Sequence, residues 1–258
     1  MMHEETPVET VIGNHSIKEV ITEIESILKN EDSEAISHTL GFVRDAALYQ
    51  HPHRDTFREE LRSSTVWEQL EKLLRSSNFY LRGNTIYTIA KFAEKSKAYL
   101  LLEAFPYYFQ HDPIHLPSLL FELLWLSHEW NWDLLNQIVT ADNYLQRWSL
   151  CQVIDDRGDT LEVVKKFLQL LELLKRDAHP LIAAEAQWRF ERITVKLGSK
   201  LSKPEWRQEV KRIAKLEPKL TFEKAAMQFM QSRQNYTIEE FDGFLVSSTE
   251  NSWSIDRK

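Results

Sequence analysis

The chain has 258 residues, enough for one large domain or two small ones, and 43% of them are hydrophobic, enough to bury a sizeable core. Its formal net charge of −7 excludes non-specific nucleic-acid binding by the whole chain, because neutralising phosphates needs a basic surface. The single cysteine, Cys151, excludes an intramolecular disulfide and a multi-cysteine zinc site, and six glycines are fewer than a strand-rich chain needs for its turns.

Residues 1–14 are acidic and aperiodic and read as a disordered N-terminus without the basic and apolar regions of a signal peptide. Ser16 with Glu19 forms a capping-box pattern, and Ile17, Val20, Ile21, Ile24, Ile27 and Leu28 predict a helix with one apolar face. A second helix is predicted over Ser33–Tyr49. The next hairpin pairs Thr65–Arg75 with Tyr80–Lys95, and His51-Pro-His-Arg-Asp ahead of it reads as a solvated inter-repeat loop. A third pairs Lys97–Gln110 with about Ile114–Glu129, where Pro113 and Pro117 suit a first helical turn. A fourth, short one pairs Trp132–Thr140 with Asn143–Asp155, and a fifth pairs Thr160–Arg176 with Pro180–Leu197, closed by Gly198. Beyond it, Pro204–Leu216 is expected to be a charged helix with Trp206, Val210, Ile213 and Ala214 as its apolar stripe. Thr221–Arg233 is a further amphipathic helix, and Thr237-Ile-Glu-Glu opens a short last one near Phe244, with the tail from Ser247 expected to fray. No apolar run reaches the roughly 18 residues of a membrane span, so the expected location is cytoplasmic.

One phrase recurs: a short polar turn running into an apolar helix. It is clearest at Asp177-Ala-His-Pro-Leu-Ile-Ala-Ala-Glu-Ala-Gln-Trp, with looser copies beginning at Ser77, Asp112, Asp142 and Asp32. Alignment makes Ser37, Arg82, Pro117, Arg147 and Ala183 equivalent, at spacings of stacked helical hairpins. The phrase resembles the second helix of a HEAT-type repeat, which reads Asp-x-x-Pro-x-Val-Arg-x-x-Ala-x-x-Ala-Leu-Gly. The resemblance covers about residues 16–198. It implies an all-α fold, a right-handed α-α superhelix of about five HEAT-like hairpins over residues 15–198, with a helical cap over 199–246 and a flexible tail over 247–258. Arg82 and Arg147 match the family's arginine, whose usual role is to tie neighbouring repeats; Ser37, Pro117 and Ala183 depart from it.

No Gly-x-Gly-x-x-Gly, Walker, His-Glu-x-x-His or Gly-x-Ser-x-Gly motif occurs, and no cofactor or metal is implied. The histidines at 51 and 53 lack further assignable ligands, Asp112 suits a helix cap, and the acidic loop Asp155–Asp159 lacks calcium-loop spacing. Trp125, His128 and Trp132 fall near helical spacing and could form an aromatic patch, though a structural turn accounts for them as well. Cys151 reads as a buried thiol. Charge is unevenly spread: Lys196–Lys224 holds nine basic and four acidic side chains, and the first 34 residues nine acidic and two basic ones. Arg207, Lys211 and Lys215 share one helix face, which is either a solvated face or an anion-contacting one.

These features favour a non-enzymatic interaction module whose concave surface receives a protein or peptide, with Arg82, Arg147, Trp148, Trp188, Arg207, Lys211 and Lys215 as candidate partner contacts. Two other readings stay open. HEAT-like chains include bilin lyases and alkylation-repair glycosylases, and Trp148 with Trp188 could stack a base if both faced a groove. An acidic immunity-type inhibitor of a basic toxin would also suit the net charge.

Overall fold

The computed structural model describes residues 15–29, 32–48, 54–92, 98–127, 131–154, 160–197, 201–231 and 235–253. Among them the chain is all α, with fourteen helices and no strand. It divides into two compact units. One comprises Met1–Tyr108, Phe121–Glu129 and Gln234–Tyr236, the other Phe109–Leu120, Trp130–Arg233 and Thr237–Lys258.

The first unit opens with α1 (Ile17–Leu28), whose Ser16/Glu19 capping box satisfies the orphan N–H groups at its start. Its apolar stripe is buried at Val20, Ile21, Ile24 and Leu28. Helix α2 (Ser33–Leu48) starts from Asp32, whose carboxylate accepts from the Glu34 and Ala35 N–H groups at 3.0 and 3.3 Å. Then comes α3 (Arg54–Ser63), a helix that the sequence pattern does not predict and whose first two residues read as loop. Phe57 and Leu61, one turn apart, are buried and pin it against α1 and α2. That single i, i+4 pair in a strongly polar stretch was its only sequence signal.

Helix α4 (Val66–Leu73) and α5 (Phe79–Phe92) form the next hairpin. First helix packs on first, α1 on α4, and second on second, α2 on α5. Glu25 on α1 accepts from the Thr65 N–H that precedes α4, at 2.8 Å. Between α2 and α5, Asn84 donates to Ser37 Oγ at 3.1 Å and accepts from Arg44 at 3.2 Å. Thr88 Oγ1 reaches the Leu40 carbonyl at 3.4 Å. Since Ser37 meets Asn84 and Leu40 meets Thr88, the two helices run parallel. Helix α6 (Ala98–His111) is tied to the end of α4 by Tyr108, whose hydroxyl donates to the Leu74 carbonyl at 2.8 Å. Helix α7 is Leu116–Ser127. It starts later than expected, so Pro117 alone lies in its first turn, while Pro113 sits in the turn that Asp112 caps through the His115 N–H at 3.1 Å.

The second unit repeats the pattern with α8 (Trp132–Val139), α9 (Tyr144–Val153), α10 (Leu161–Leu174) and α11 (Pro180–Leu197). Again α8 packs on α10 and α9 on α11. It continues with α12 (Lys203–Ala214), α13 (Phe222–Met230) and α14 (Ile238–Trp253). Helix α14 runs past the expected fraying point at Ser247, because the Thr237/Glu240 box caps it and Phe241 and Leu245 anchor it. The α12 stripe is much thinner than expected: only Ile213 is buried, Trp206 is half-buried, and Val210 and Ala214 are exposed.

Glu185, on α11, lies at the centre of this unit with no exposed surface. One carboxylate oxygen accepts from Trp148 Nε1 on α9 at 2.7 Å and from the first N–H of α13, Phe222, at 2.8 Å. The other accepts from Arg189 Nε at 2.9 Å. A carboxylate is stable in such a place only because every donor around it is spoken for. Replacing Glu185 with Ala leaves the Arg189 guanidinium buried and unpaired, so Glu185→Ala should cost roughly 3–5 kcal/mol of unfolding free energy. Urea titration of both proteins measures this, and a loss under about 1 kcal/mol, the size of an exposed-pair effect, would show that the network does not hold the unit.

Candidate interaction surface

Two arginines that the sequence aligns do the same local job. Arg82 Nη1 donates to the Ser76 and Ser77 carbonyls, six and five residues back, at 2.6 and 3.0 Å. Arg147 Nη1 donates to the Ala141 and Asp142 carbonyls, again six and five back, at 2.5 and 2.8 Å. Each guanidinium therefore clamps the turn from which its own helix starts, supplying donors to two carbonyls of that turn. Arg82 is only 3% exposed and lies 5.9 Å from the centre of the Tyr236 ring. It is a clamp without surface to offer a partner, which revises its place among the candidate contacts. Arg147 also forms a forked pair with Asp177, at 2.6 and 3.1 Å, joining its turn to the turn before α11.

Around that fork is a polar cluster. Asp177 accepts from the His179 N–H at 2.8 Å. The His179 ring stacks on Tyr144, 4.2 Å centre to centre, and the Tyr144 hydroxyl donates to Asp242 on α14. Burial pushes the Tyr144 phenol well up, and the Asp242 bond adds to it. Burial lowers His179, and Arg147 works the same way, against Asp177 and Asp242. Burial would raise Asp177, but the bonds from Arg147 and the His179 N–H outweigh it and hold the carboxyl below its usual range.

Trp148 is also corrected. Its indole is wholly buried, bonded to Glu185 and edge-on to Phe222 at 5.3 Å, so it cannot pair with Trp188 to stack a base. Trp188 is half-buried, with the Arg189 and Arg192 guanidinium carbons 5.5 and 5.0 Å from its ring. Cys151 has no exposed surface, and burial raises its thiol well above the ordinary value. Trp132 packs on Phe167 at 5.8 Å under the Lys166 ammonium; the Trp125 side chain is not described, and His128, like the histidines at 51 and 53 and the acidic loop Asp155–Asp159, lies outside the described residues.

Two surfaces remain open. On α5 almost every side chain is buried except a stripe of Tyr80, Asn84, Tyr87 and Lys91 at i, i+4, i+7 and i+11. Tyr80 and Tyr87 are 46% and 41% exposed, and Asn84 extends the stripe sideways to Ser37 and Arg44 on α2. Neither tyrosine was among the sequence candidates. Their seven-residue spacing was the available signal, but it marks a shared face without saying which way the face points. The other surface is on α12, where Arg207, Lys211 and, at its C-cap, Lys215 are all exposed. A cavity of about 300 Å³ lies against α1 and α2, lined by Val20, Ile24, Ile27, Thr39 and Phe42 with His15 and Glu23. Among the described residues, no group of three or more His, Cys, Asp or Glu side chains could hold a metal ion, and no helix is long and apolar enough to cross a membrane.

No protein-family profile matches the chain, and no curated protein matches its sequence.

The Arg147–Asp177 fork makes a pH prediction. The folded Asp177 value lies below its unfolded one, near 4, so its ionised form adds stability above that pH and the contribution is lost as the pH falls through the folded value. Asp177→Asn should lower the urea midpoint at neutral pH and flatten its fall between about pH 5 and pH 2. An acid limb identical to that of the parent protein would show that the fork adds nothing to stability.

Proposed function

We propose that the chain is a non-enzymatic protein–protein interaction module, a HEAT-like right-handed solenoid of helical hairpins that works in the cytoplasm. The repeat identity is supported by the like-on-like packing inside each unit and by the matching work of Arg82 and Arg147. A buried, reduced cysteine suits that compartment.

The observation that carries the binding reading is the α5 stripe. A second helix buried on nearly all sides presents two tyrosines on its one open face, beside polar side chains contributed by the second helix of the preceding hairpin. Tyrosine suits a contact surface, because its ring gives area at little entropy cost and its hydroxyl gives a directed hydrogen bond. A surface assembled from successive hairpins fits an extended peptide or a helical segment of a partner.

The test is affinity capture from native lysate with quantitative mass spectrometry. The parent protein should recover a specific partner, and Tyr80→Ala/Tyr87→Ala should reduce its recovery at least about tenfold, the size of a lost hot spot. Because both rings are largely exposed, the thermal midpoint should move by only a few degrees. Recovery of no specific partner, or full recovery with the double variant, would overturn the reading.

A further inference from the structure

Helix α12 combines two departures from an ordinary surface helix. Its expected apolar stripe is mostly undocked, and its charges are sorted by sign. Each acidic side chain on it has an internal use. Glu205 accepts from the Ser202 N–H and hydroxyl at 2.8 and 2.6 Å, and Glu209 pairs with Arg212 at 2.8 Å. Arg212 also reaches Glu191 on α11 at 2.8 Å, so that cation is used as well. What remains is a row of four: Lys203, Arg207, Lys211 and Lys215. All four are exposed, and none makes an ion pair among the described residues.

The row has a definite geometry. Steps of four residues along a helix rise about 6 Å each, so the cations span about 18 Å and turn through about 120°. Glu205 and Glu209 lie about 200–240° round from Lys203, on the side facing away from the row. Val210, 45% exposed, and Ala214 fall within about 20° of Lys203, so the row carries an apolar edge.

We infer that this row is a docking site for an acidic helical segment of a protein partner. The inference rests on the reading of the chain as a protein-binding module and names the partner's chemistry. A helix with Asp or Glu at every fourth position repeats its carboxylates at the same 6 Å rise, so about three turns of it match the row from end to end. The apolar edge at Val210 and Ala214 suits the aliphatic side chains of a protein partner better than the charged sugar–phosphate backbone of a nucleic acid. A bilayer needs a broad apolar face, and here Ile213 is already buried while Val210 alone of the larger apolar side chains of α12 is open. The chain's net charge of −7 disfavours an acidic partner on the rest of the chain taken together, so the basic segment is where such a partner is favoured.

The experiment is a fluorescence-anisotropy titration of the full chain against a labelled, roughly four-turn helical peptide with glutamate at every fourth position and alanine between. The parent protein should bind it, and binding should weaken as salt rises from about 50 to 300 mM. Arg207→Glu/Lys211→Glu should raise the Kd by at least about tenfold, and Arg207→Ala/Lys211→Ala by a smaller factor. Lys18→Glu/Lys165→Glu, an equal charge change at two exposed lysines elsewhere, should leave it unaltered. No binding by the parent protein, or an equal loss in the Lys18/Lys165 control, overturns the inference. So does tighter binding of a single-stranded oligonucleotide of similar length or of phosphatidylserine vesicles through the same residues. A chain that still captures its partner through Tyr80 and Tyr87 but ignores the acidic peptide overturns this inference alone.

Discussion

The carbonyls of a tight turn that leads into a helix need hydrogen-bond donors as any backbone group does. In both units an arginine on the first turn of the second helix solves this by folding back over its own turn. Arg82 and Arg147 reach carbonyls at the same two offsets, so the direction in which α5 and α9 leave their turns is set by a side chain on the helix itself. Everything else in the hairpin follows from that direction. A second helix launched at a fixed angle can lie alongside the second helix of its neighbour, and the small and polar residues at Ser37, Asn84 and Thr88 let α2 and α5 come close enough to bond.

The second unit adds a buried charge to this scheme. Asp177 takes the outer side of the Arg147 fork and caps the turn before α11, and two turns further along Glu185 gathers donors from α9, α11 and the start of α13. The two carboxylates differ in kind. Asp177 is held ionised by bonds strong enough to outweigh burial, near the edge of the unit. Glu185 is enclosed, and its pairing with Arg189 is weak evidence of extra stability and strong evidence of specificity: any other packing of α13 leaves a charge or an N–H unmatched. Cys151, in the same interior, serves as a small apolar side chain.

These internal ties explain which polar groups are free to face outward. Arg82 and Trp148 look like contact residues in the sequence because they are large, polar-tipped and regularly placed, and the fold uses them inside. The large polar-tipped side chains that stay exposed are Tyr80 and Tyr87 on α5 and the cationic row on α12. Sign-sorting of the α12 charges is a tertiary effect as much as a helical one, since Glu191 on α11 helps to occupy Arg212 and leaves the row opposite it unpaired.

The sequence by itself determined the elements. Apolar spacing of 3.6 located most of the helices, the Ser16, Asp112 and Thr237 caps marked starts, and the recurring phrase paired second helices with one another, because all of these act over a few residues. It missed α3, whose hold is two buried side chains in a polar stretch, and it stopped α14 too early, because Phe241 and Leu245 anchor that helix through packing. Only the tertiary structure decided burial. Whether Arg82, Trp148 or Tyr87 faces a core or solvent depends on which helix arrives beside it, and a local pattern fixes a residue's face but not what that face meets. The exposed surface is the remainder after packing is complete, so it could be read only once the packing was known.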